Sequence, residues 1–444
     1  MLAKGDRISS TLVSASLPQA LVELQKEGLF QMNKFMNWIQ DSLMPPLAKV
    51  GNNKYLTAVR DGLVLALPAI ISGSVFLIIA NIPIPAWQKF MTPYMNDMGA
   101  AVNASFGIIS LLASIGIGYS LSKALEVNPL NGAGLSVMAF IISSFNNKLV
   151  LDTNNFTSTG LFTAIFCAFI SVLIYKLFVK KNWVIRLPQG VPPTVSASFV
   201  SLAPAFVTLL LFWIVKVPLG FDINHFIQTI FSPLLFALNS LPGFMVYMLI
   251  VSLLWLAGVH GDMATEGITD PIFLQFLAAN ATAYAHHQPI PYITAAGFTS
   301  LFVEVGGTGA TLMLVFWMLF SKSKTYKSLG RIAFPSALFE INEPIMFGFP
   351  IVMNPLTMIP YILVPQILAI TTYALMAAHL IRPAVLMVPW TMPPIIGPMM
   401  ATGWDWRAGV WSVVELAIAG AMYYPFFKVA EKQMLHKEAA GIED

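Results

Sequence analysis

The stretch Gly62–Gln88, "GLVLALPAIISGSVFLIIANIPIPAWQ", runs without a single Asp, Glu, Lys or Arg. It is longer than the roughly 20 apolar residues that a helix needs to cross the hydrocarbon core of a bilayer. Similar uncharged runs recur along the chain, at Met98–Ser122, Thr153–Tyr175, Leu187–Val215 and Pro344–Ile381. The chain is therefore expected to cross a membrane several times.

The composition supports this interpretation. Of 444 residues, 57% are hydrophobic and only 10% are charged, against about 25% charged in a typical soluble domain. A formal charge of +3 is too small to indicate a nucleic-acid partner. The single cysteine, Cys167, lies in an apolar run, which excludes a disulfide framework and a cysteine-based metal site.

Basic residues predict the topology, because Lys and Arg are enriched in cytoplasmic loops. Five spans are expected in the first half, near 61–81, 103–123, 132–147, 158–176 and 195–217. The basic residues form four clusters: Lys34, Lys49, Lys54 and Arg60; Lys176, Lys180, Lys181 and Arg186; Lys322, Lys324, Lys327 and Arg331; and Lys428, Lys432 and Lys437. Placing all four clusters in the cytoplasm predicts that both termini are cytoplasmic.

In the second half, the apolar runs are interrupted more often by polar residues and prolines. Clear spans are expected at 241–259, 297–320, 355–380 and 408–427, and a broken, partly polar crossing at Asp262–Tyr292. The proline-rich pieces 332–350 and 382–402 are expected to dip into the membrane and return, and Phe221–Ser240 to lie along the interface. The predicted fold class is an all-α polytopic membrane protein with about ten transmembrane helices, two re-entrant segments and interfacial amphipathic helices.

Ionisable residues inside a membrane are costly and usually mark functional sites. The first such motif is Trp255–Glu266, "WLAGVHGDMATE", in which His260 lies between Gly258 and Gly261. A zinc site is disfavoured, because no second histidine follows at helical spacing. A structural histidine at a helix end and a histidine that binds a polar ligand both remain open.

The second motif is Phe339–Phe347, "FEINEPIMF". Pro344 biases Glu343 away from helical geometry, so that nearby backbone groups face a cavity. Asn342 adds two hydrogen-bond donors and an acceptor. Glu340 is interpreted as a structural carboxylate that caps a helix or pairs with Arg331.

The third motif is Val388–Trp406, "VPWTMPPIIGPMMATGWDW", with Trp390 between prolines and a threonine. An indole face with amide, carboxylate and imidazole partners is what a sugar requires. Trp404 and Trp406 fit a membrane-interface belt equally well.

At these residues the chain closely resembles enzyme IIC, the membrane component of the bacterial phosphoenolpyruvate sugar phosphotransferase system, in its lactose/cellobiose/diacetylchitobiose family. The resemblance runs from about residue 32 to residue 432. It rests on "RDGLVLALPAIISGS" at 60–74, "GVHGDM" at 258–263, "FEINEPIMFGFPIVMNP" at 339–355 and "PWTMPPIIGPMMATGWD" at 389–405. "MNKFMNWIQ" at 32–40 resembles the usual start of such proteins, so residues 1–31 are expected to be an atypical extension.

The resemblance implies a sugar permease of the bacterial plasma membrane. It implies a homodimer with a scaffold half at 32–217, a substrate-binding half at 218–430 and a cytoplasmic tail at 431–444. His260 and Glu343 match the residues expected near the 6-hydroxyl of a β-linked disaccharide and are the implied catalytic pair. The further implied sugar contacts are Asn342, Trp255, Asp262, Gly261, Trp390 and Asn147.

The resemblance also implies a separate phosphorylated enzyme IIB as phosphoryl donor, because the only cysteine lies in a membrane span. No cofactor and no metal are expected. Two alternatives remain. In an ion-coupled secondary transporter, Glu343 would serve a proton or sodium ion; in an intramembrane enzyme, His260 would act with Asp262 or Glu266.

Overall fold

The computed structural model describes residues 45, 53–146, 148–188, 190–349, 351 and 355–440. The proposed extension at 1–31, the start motif at 32–40 and the last residues of the tail, 441–444, lie outside this part of the chain, as does Asn147.

The described residues form an all-helical structure without β-strands, which confirms the predicted fold class. The helices, numbered in chain order, are α1 (Lys54–Leu63), α2 (Leu67–Ala80), α3 (Pro85–Met91), α4 (Met95–Phe106), α5 (Ile109–Ala124), α6 (Pro129–Ser143), α7 (Leu161–Lys181), α8 (Pro193–Lys216), α9 (Ile223–Asn239), α10 (Leu241–Leu256), α11 (Gly261–Ala285), α12 (Leu312–Leu319), α13 (Lys324–Ala337), α14 (Glu343–Gly348), α15 (Pro355–Ala377), α16 (Ile396–Ala401) and α17 (Trp406–Ala439).

Small residues allow the helices of the first half to pack closely. A Cβ added to Gly62 on α1 would lie 2.4 Å from Ile117 Cα on α5, and one added to Gly118 would meet Ser136 on α6 at 2.6 Å. Such close backbone approach is how membrane helices associate, since lipid is as apolar as their side chains. The result is a bundle in which α5 contacts α1, α6 and α7.

Within the described part of the chain, six helical segments are long and apolar enough to cross a membrane. They are Lys54–Ala80, Pro85–Ala124, Ser158–Lys181, Val195–Lys216, Leu356–Ala377 and Trp406–Ala439. Helices α9 and α10 form a further apolar pair that bends by 80° at Ser240, which fits a segment lying along the interface before a crossing. The number of ten crossings, the re-entrant segments and the boundary between residues 217 and 218 stay predictions.

The expectation of a broken crossing at Asp262–Tyr292 is wrong. Helix α11 is continuous for 25 residues and passes through Pro271. A proline removes a single donor, and packing against neighbouring helices sustains the rest of the helix. Gly267, four residues before the proline, lies against Leu56 of α1, where an added Cβ would meet the Leu56 oxygen at 2.8 Å.

The break lies instead in the segment predicted as a straight span at 297–320. A π-turn at Thr299–Val303 is followed by a glycine-rich loop, and only Leu312–Leu319 is regular helix. Gly306, Gly307 and Gly309 take φ values of +85°, +93° and +81°. Glycine alone adopts this backbone region readily, so "GGTGA" ends the helix.

The proline-rich pieces differ from one another. In the first, α13 continues through Pro335 to Ala337 and is followed by a turn and the short helix α14. In the second, residues 381–395 lack regular helix before α16. This irregular segment is held by α11, whose Asn280 Nδ2 donates to Ala384 O at 2.8 Å, and by α2, whose Ser74 Oγ accepts from Met387 N at 2.8 Å.

Candidate functional site

Trp255, His260 and Asp262 meet where α10 turns into α11. The buried indole Nε1 of Trp255 donates to Asp262 Oδ2 at 2.9 Å, and its ring lies 4.2 Å from the imidazole centroid of His260. His260 caps α11, because its Nδ1 accepts from Met263 N at 3.3 Å. The histidine therefore has a structural role, while Nε2 carries no bond that the described residues supply.

Two glycines shape this corner. Gly258 takes φ +84°, which reverses the chain at the end of α10. A Cβ on Gly261 would lie 2.3 Å from Val251 O. Any side chain at residue 261 would push α11 away from α10 and separate Asp262 from Trp255.

The carboxylate of Glu340 binds the glycine-rich loop at residues 304–311, called the glycine loop below, and does not pair with Arg331. Its Oε2 accepts from Gly306 N at 2.5 Å and Gly307 N at 2.8 Å. The interpretation of Glu340 as a structural carboxylate fits these bonds, but the suggested partner is wrong. Gly306 N has no backbone acceptor among the described residues, so the carboxylate satisfies it, and the carboxylate also shares Gly307 N with Glu304 O, which lies 2.8 Å away.

Asn342 binds the same loop from the other side. Its Nδ2 donates to Thr308 O at 2.7 Å and to Thr311 Oγ1 at 2.9 Å, and the residue is only 4% exposed. Gly307 is required here, because a Cβ would come within 2.5 Å of Asn342 Cγ. The loop therefore fixes both Glu340 and Asn342, and through them the start of α14.

Glu304 joins the two parts of the site and was missed by the reasoning from sequence. It ends the π-turn, is 7% exposed, and lies close enough to Asp262 and Glu340 for electrostatic interaction. Among the described residues nothing forms a hydrogen bond or ion pair with its carboxylate. A carboxylate at membrane depth in "FVEVGG" is itself a functional signal, which the interpretation of 297–320 as a plain span passed over.

The remaining predicted residues lie differently. Glu343 begins α14 directly after Asn342 and is exposed. No hydrogen bond or ion pair within the described residues joins it to His260. Trp390 is 57% exposed on the irregular segment before α16. Asn147 lies outside the described residues.

A cavity of about 260 Å³ opens beside this site, between α1 and α11. Its polar lining consists of Arg60, Glu266 and Asp270, and Arg60 Nη1 lies 3.8 Å from Glu266 Oε2. The remaining lining is apolar. The cavity lies where α1 and α2 of the first half meet α11, the helix that carries Asp262.

The arrangement suits a neutral ligand rich in hydroxyl groups. Asp262 and Glu304 offer acceptors, and His260 offers an imidazole nitrogen. Two carboxyl groups disfavour an anion, and a carboxyl group without a partner among the described residues is stabilised by a donating hydroxyl. A sugar supplies such donors together with apolar C–H faces.

Comparison with known proteins gives concordant results. Residues 60–365 match the family described as "Phosphotransferase system, EIIC". The lichenan permease IIC component of Bacillus subtilis (strain 168) is 36% identical over 433 residues, which cover 92% of this chain and 96% of that protein. The cellobiose-specific EIIC component of Geobacillus stearothermophilus is 37% identical over 437 residues, which cover 92% and 97%.

A solved structure shows the same architecture. The transporter ChbC, the IIC component of an N,N'-diacetylchitobiose-specific phosphotransferase system, matches with a TM-score of 0.85 and 34% identity. The match covers 90% of this chain and 99% of that one.

Proposed function

The chain belongs to the EIIC family of the phosphotransferase system, and on this premise we propose that it carries a β-linked disaccharide. Members of the family are multi-pass membrane permeases that bind sugars and work with an EIIB domain. In this proposal the chain presents the sugar's 6-hydroxyl for phosphorylation by a separate EIIB. Cellobiose and N,N'-diacetylchitobiose are the leading substrates, since the relatives named for such sugars are similar over nearly the whole chain.

The observation that supports this proposal is the buried carboxyl group of Glu304, which lies within electrostatic range of Asp262. Asp262 is fixed by the 2.9 Å bond from Trp255, whereas Glu304 has no partner among the described residues. An ionised group that is buried without a partner is costly, so a site of this kind is completed by a ligand that donates hydrogen bonds. Sugar hydroxyls provide those donors.

Glu343 and His260 form the catalytic pair in this proposal. Glu343 lies at the exposed start of α14, where a soluble protein domain reaches it. It accepts the proton of the 6-hydroxyl as that oxygen attacks phosphorus; the bond from phosphorus to the EIIB cysteine breaks, and a thiolate leaves. His260 donates to or accepts from the same hydroxyl and orients it. Asn342 holds Glu343 in place through the glycine loop.

Phosphorylation makes transport directional. A phosphate adds about −1.5 to −2 charges, and a charged product returns through a low-dielectric path only at high cost. No ion gradient is then required. The phosphoryl group comes from another chain, because Cys167, the single cysteine, is fully buried in α7.

The assembly is a homodimer in the bacterial plasma membrane with both termini in the cytoplasm. The basic clusters support this orientation. Residues 32–217 serve as the scaffold and residues 218–430 carry the sugar.

The test is formation of sugar phosphate in membranes supplied with the phosphorylated soluble components of the system. Cellobiose, diacetylchitobiose and lactose are offered in parallel, with and without EIIB. Glu343→Gln keeps the side chain's size but removes the base, so we expect the rate to fall by about 100-fold or more while sugar binding persists. Glu126→Gln, an exposed carboxylate on another part of the chain, is the matched control and keeps the wild-type rate.

Two results would contradict the proposal. A Glu343→Gln variant that phosphorylates sugar at the wild-type rate removes Glu343 from the role of base. Gradient-driven accumulation of unmodified sugar without EIIB shows an ion-coupled transporter instead.

A further inference from the structure

A second polar cavity, of about 250 Å³, lies between the loop that precedes α7 and the start of α9, and shares none of the residues of the site above. Apart from Phe145, its lining is entirely polar. The polar lining residues are Asn146, Asp152, Asn155, Asp222, Asn224 and His225, together with Gln228.

This outer cavity lies at the end of α7 opposite to the basic cluster of Lys176, Lys180, Lys181 and Arg186, although the isolated Lys148 follows its lining residue Asn146 by two positions. Asn155 lies in the first of the turns that lead into α7, and Lys180 and Lys181 end that helix. A helix of 21 residues places the two ends about 30 Å apart. Helix α9, which carries Asn224 and His225, likewise follows the end of α8 remote from that basic cluster. With the basic loops in the cytoplasm, the outer cavity faces the external medium.

One side chain in its wall is incompletely bonded. Asn224 is 5% exposed, and its Nδ2 donates to Ser143 O at 2.8 Å. Its Oδ1 is buried and has no partner among the described residues. Most buried polar atoms in proteins are hydrogen-bonded, so this acceptor indicates that a donor enters the cavity.

The lining also defines the class of ligand. Asp152 and Asp222 disfavour an anion. Each carboxylate accepts one backbone N–H through Oδ1, from Asn154 and His225, at 3.0 Å in both cases. Their second oxygens and the exposed imidazole of His225 are left for a ligand that donates hydrogen bonds. Phe145 adds an apolar ring, as carbohydrate sites require.

We propose that the outer cavity is a capture site that holds one ring of the disaccharide before it passes to the site at Asp262 and Glu304. The inference rests on the proposed function. The external position gives the sugar a first contact on the side from which it arrives, and His225 and Asn224 supply its hydrogen bonds.

The first test uses the lone native cysteine, which is buried and therefore silent toward thiol reagents. His225→Cys is introduced into a His260→Ala/Glu343→Gln background, in which the transport site is disabled. In intact cells a membrane-impermeant maleimide is expected to label the new thiol, and cellobiose or diacetylchitobiose to slow the labelling in a saturable manner. Thr229→Cys, one helical turn away on α9 and outside the cavity lining, is labelled at a rate that sugar does not change.

The second test measures transport in the wild-type background. His225→Ala is expected to raise the half-saturating external sugar concentration about fivefold, the size of one lost hydrogen bond. Phosphorylation of sugar supplied from the cytoplasmic side of inverted membranes stays unchanged. Thr229→Ala changes neither quantity.

Several outcomes would overturn the proposal. If His225→Cys is labelled only in inverted membranes, the cavity faces the cytoplasm and not the external medium. If calcium or magnesium chloride protects the thiol from labelling and sugar does not, the outer cavity is a cation site. If His225→Ala still phosphorylates sugar and its uptake is unchanged, the capture role is refuted while the proposed function stands. If the wild-type protein forms no sugar phosphate with EIIB, the proposed function fails as well.

Discussion

His260 combines two roles at the residue scale, and two substitutions separate them. It caps α11 through Nδ1 and lies against the Trp255 ring. His260→Ala loses the cap and the imidazole, so we expect lower thermal stability, by about 1 kcal/mol, and sugar binding weaker by about 1–3 kcal/mol. His260→Asn retains a capping oxygen and should recover stability but not affinity.

Calorimetric titration of sugar and thermal unfolding of the same preparations distinguish these effects. Full affinity in His260→Asn would assign the histidine a structural role only.

Glu304 gives the opposite signature, because its buried carboxyl group has no hydrogen-bond or ion-pair partner among the described residues. Glu304→Gln replaces it with a neutral amide of the same size, so we expect thermal stability to stay equal or to rise. Sugar binding should weaken by about 1–3 kcal/mol, the usual cost of leaving a buried hydrogen-bonding group unpaired. Unfolding temperature and sugar affinity measured together test this. A variant that loses stability and keeps affinity would show that Glu304 supports the fold and not the ligand.

At the scale of elements, the glycine loop between the π-turn and α12 determines the site. Gly307→Ala would force φ +93° on alanine and bring its Cβ within 2.5 Å of Asn342. Backbone strain and overpacking each cost about 1–3 kcal/mol. We expect a marked fall in unfolding temperature and loss of sugar binding. Gly134→Ala, where nothing lies within 4 Å of the added Cβ, is the control. Wild-type stability in Gly307→Ala would contradict the role of this loop.

The end of α17 holds the start of α13 through a carboxylate. Helix α17 has 34 residues, about 51 Å of length, more than the roughly 30 Å hydrocarbon core, and the charged stretch after Lys428 extends beyond the membrane. There Glu438 Oε1 accepts from Thr325 N at 3.0 Å and from Ser323 Oγ at 2.7 Å. The backbone bond from Thr325, then that from Ser323, lowers the pKa of Glu438 to about 2.

A depressed pKa fixes the sign of the pH dependence. The carboxylate of Glu438 stabilises the folded state above its unfolded pKa of about 4.3, and this contribution is lost as pH falls toward 2. We therefore expect Glu438→Gln to unfold at a lower temperature than wild type at pH 7, with the difference shrinking at pH 3. Thermal scans at both values test this, with Gln433→Ala on the same helix as control. A difference that does not depend on pH would exclude the charged interaction.

The whole molecule presents an apolar face on α8 that packs little within one chain. Little of this helix is buried within the chain, and Phe206 is 64% exposed. This supports a dimer interface within residues 60–217, since the polar motifs lie in the second half. We expect Phe206→Cys to form crosslinked dimers with a bifunctional maleimide in membranes. Val410→Cys on α17, which is 54% exposed, should not do so. Crosslinks confined to the second half would refute this arrangement.

The sequence by itself determined that this is a membrane protein, and it was sufficient to predict most of the polar residues of the candidate site. Uncharged runs such as Gly62–Gln88 leave no soluble alternative, because apolar segments of this length are stable only in lipid or a large core. The costly motifs around His260 and Glu343 likewise stand out against an apolar background, and their length made the family recognisable.

Only the tertiary structure decided where the second half breaks and what completes its site. Pro271 predicted a break that the packing of α11 against α1 prevents, whereas Gly306, Gly307 and Gly309 end a helix in a run that looked like a plain span. Glu340 was assigned to Arg331 by nearness in sequence, but it binds the N–H groups exposed by that break. Glu304 was identified as a site residue only from the structure, in which it is buried within electrostatic range of Asp262. Periodicity and composition report the environment of one segment, while these contacts depend on which segments meet.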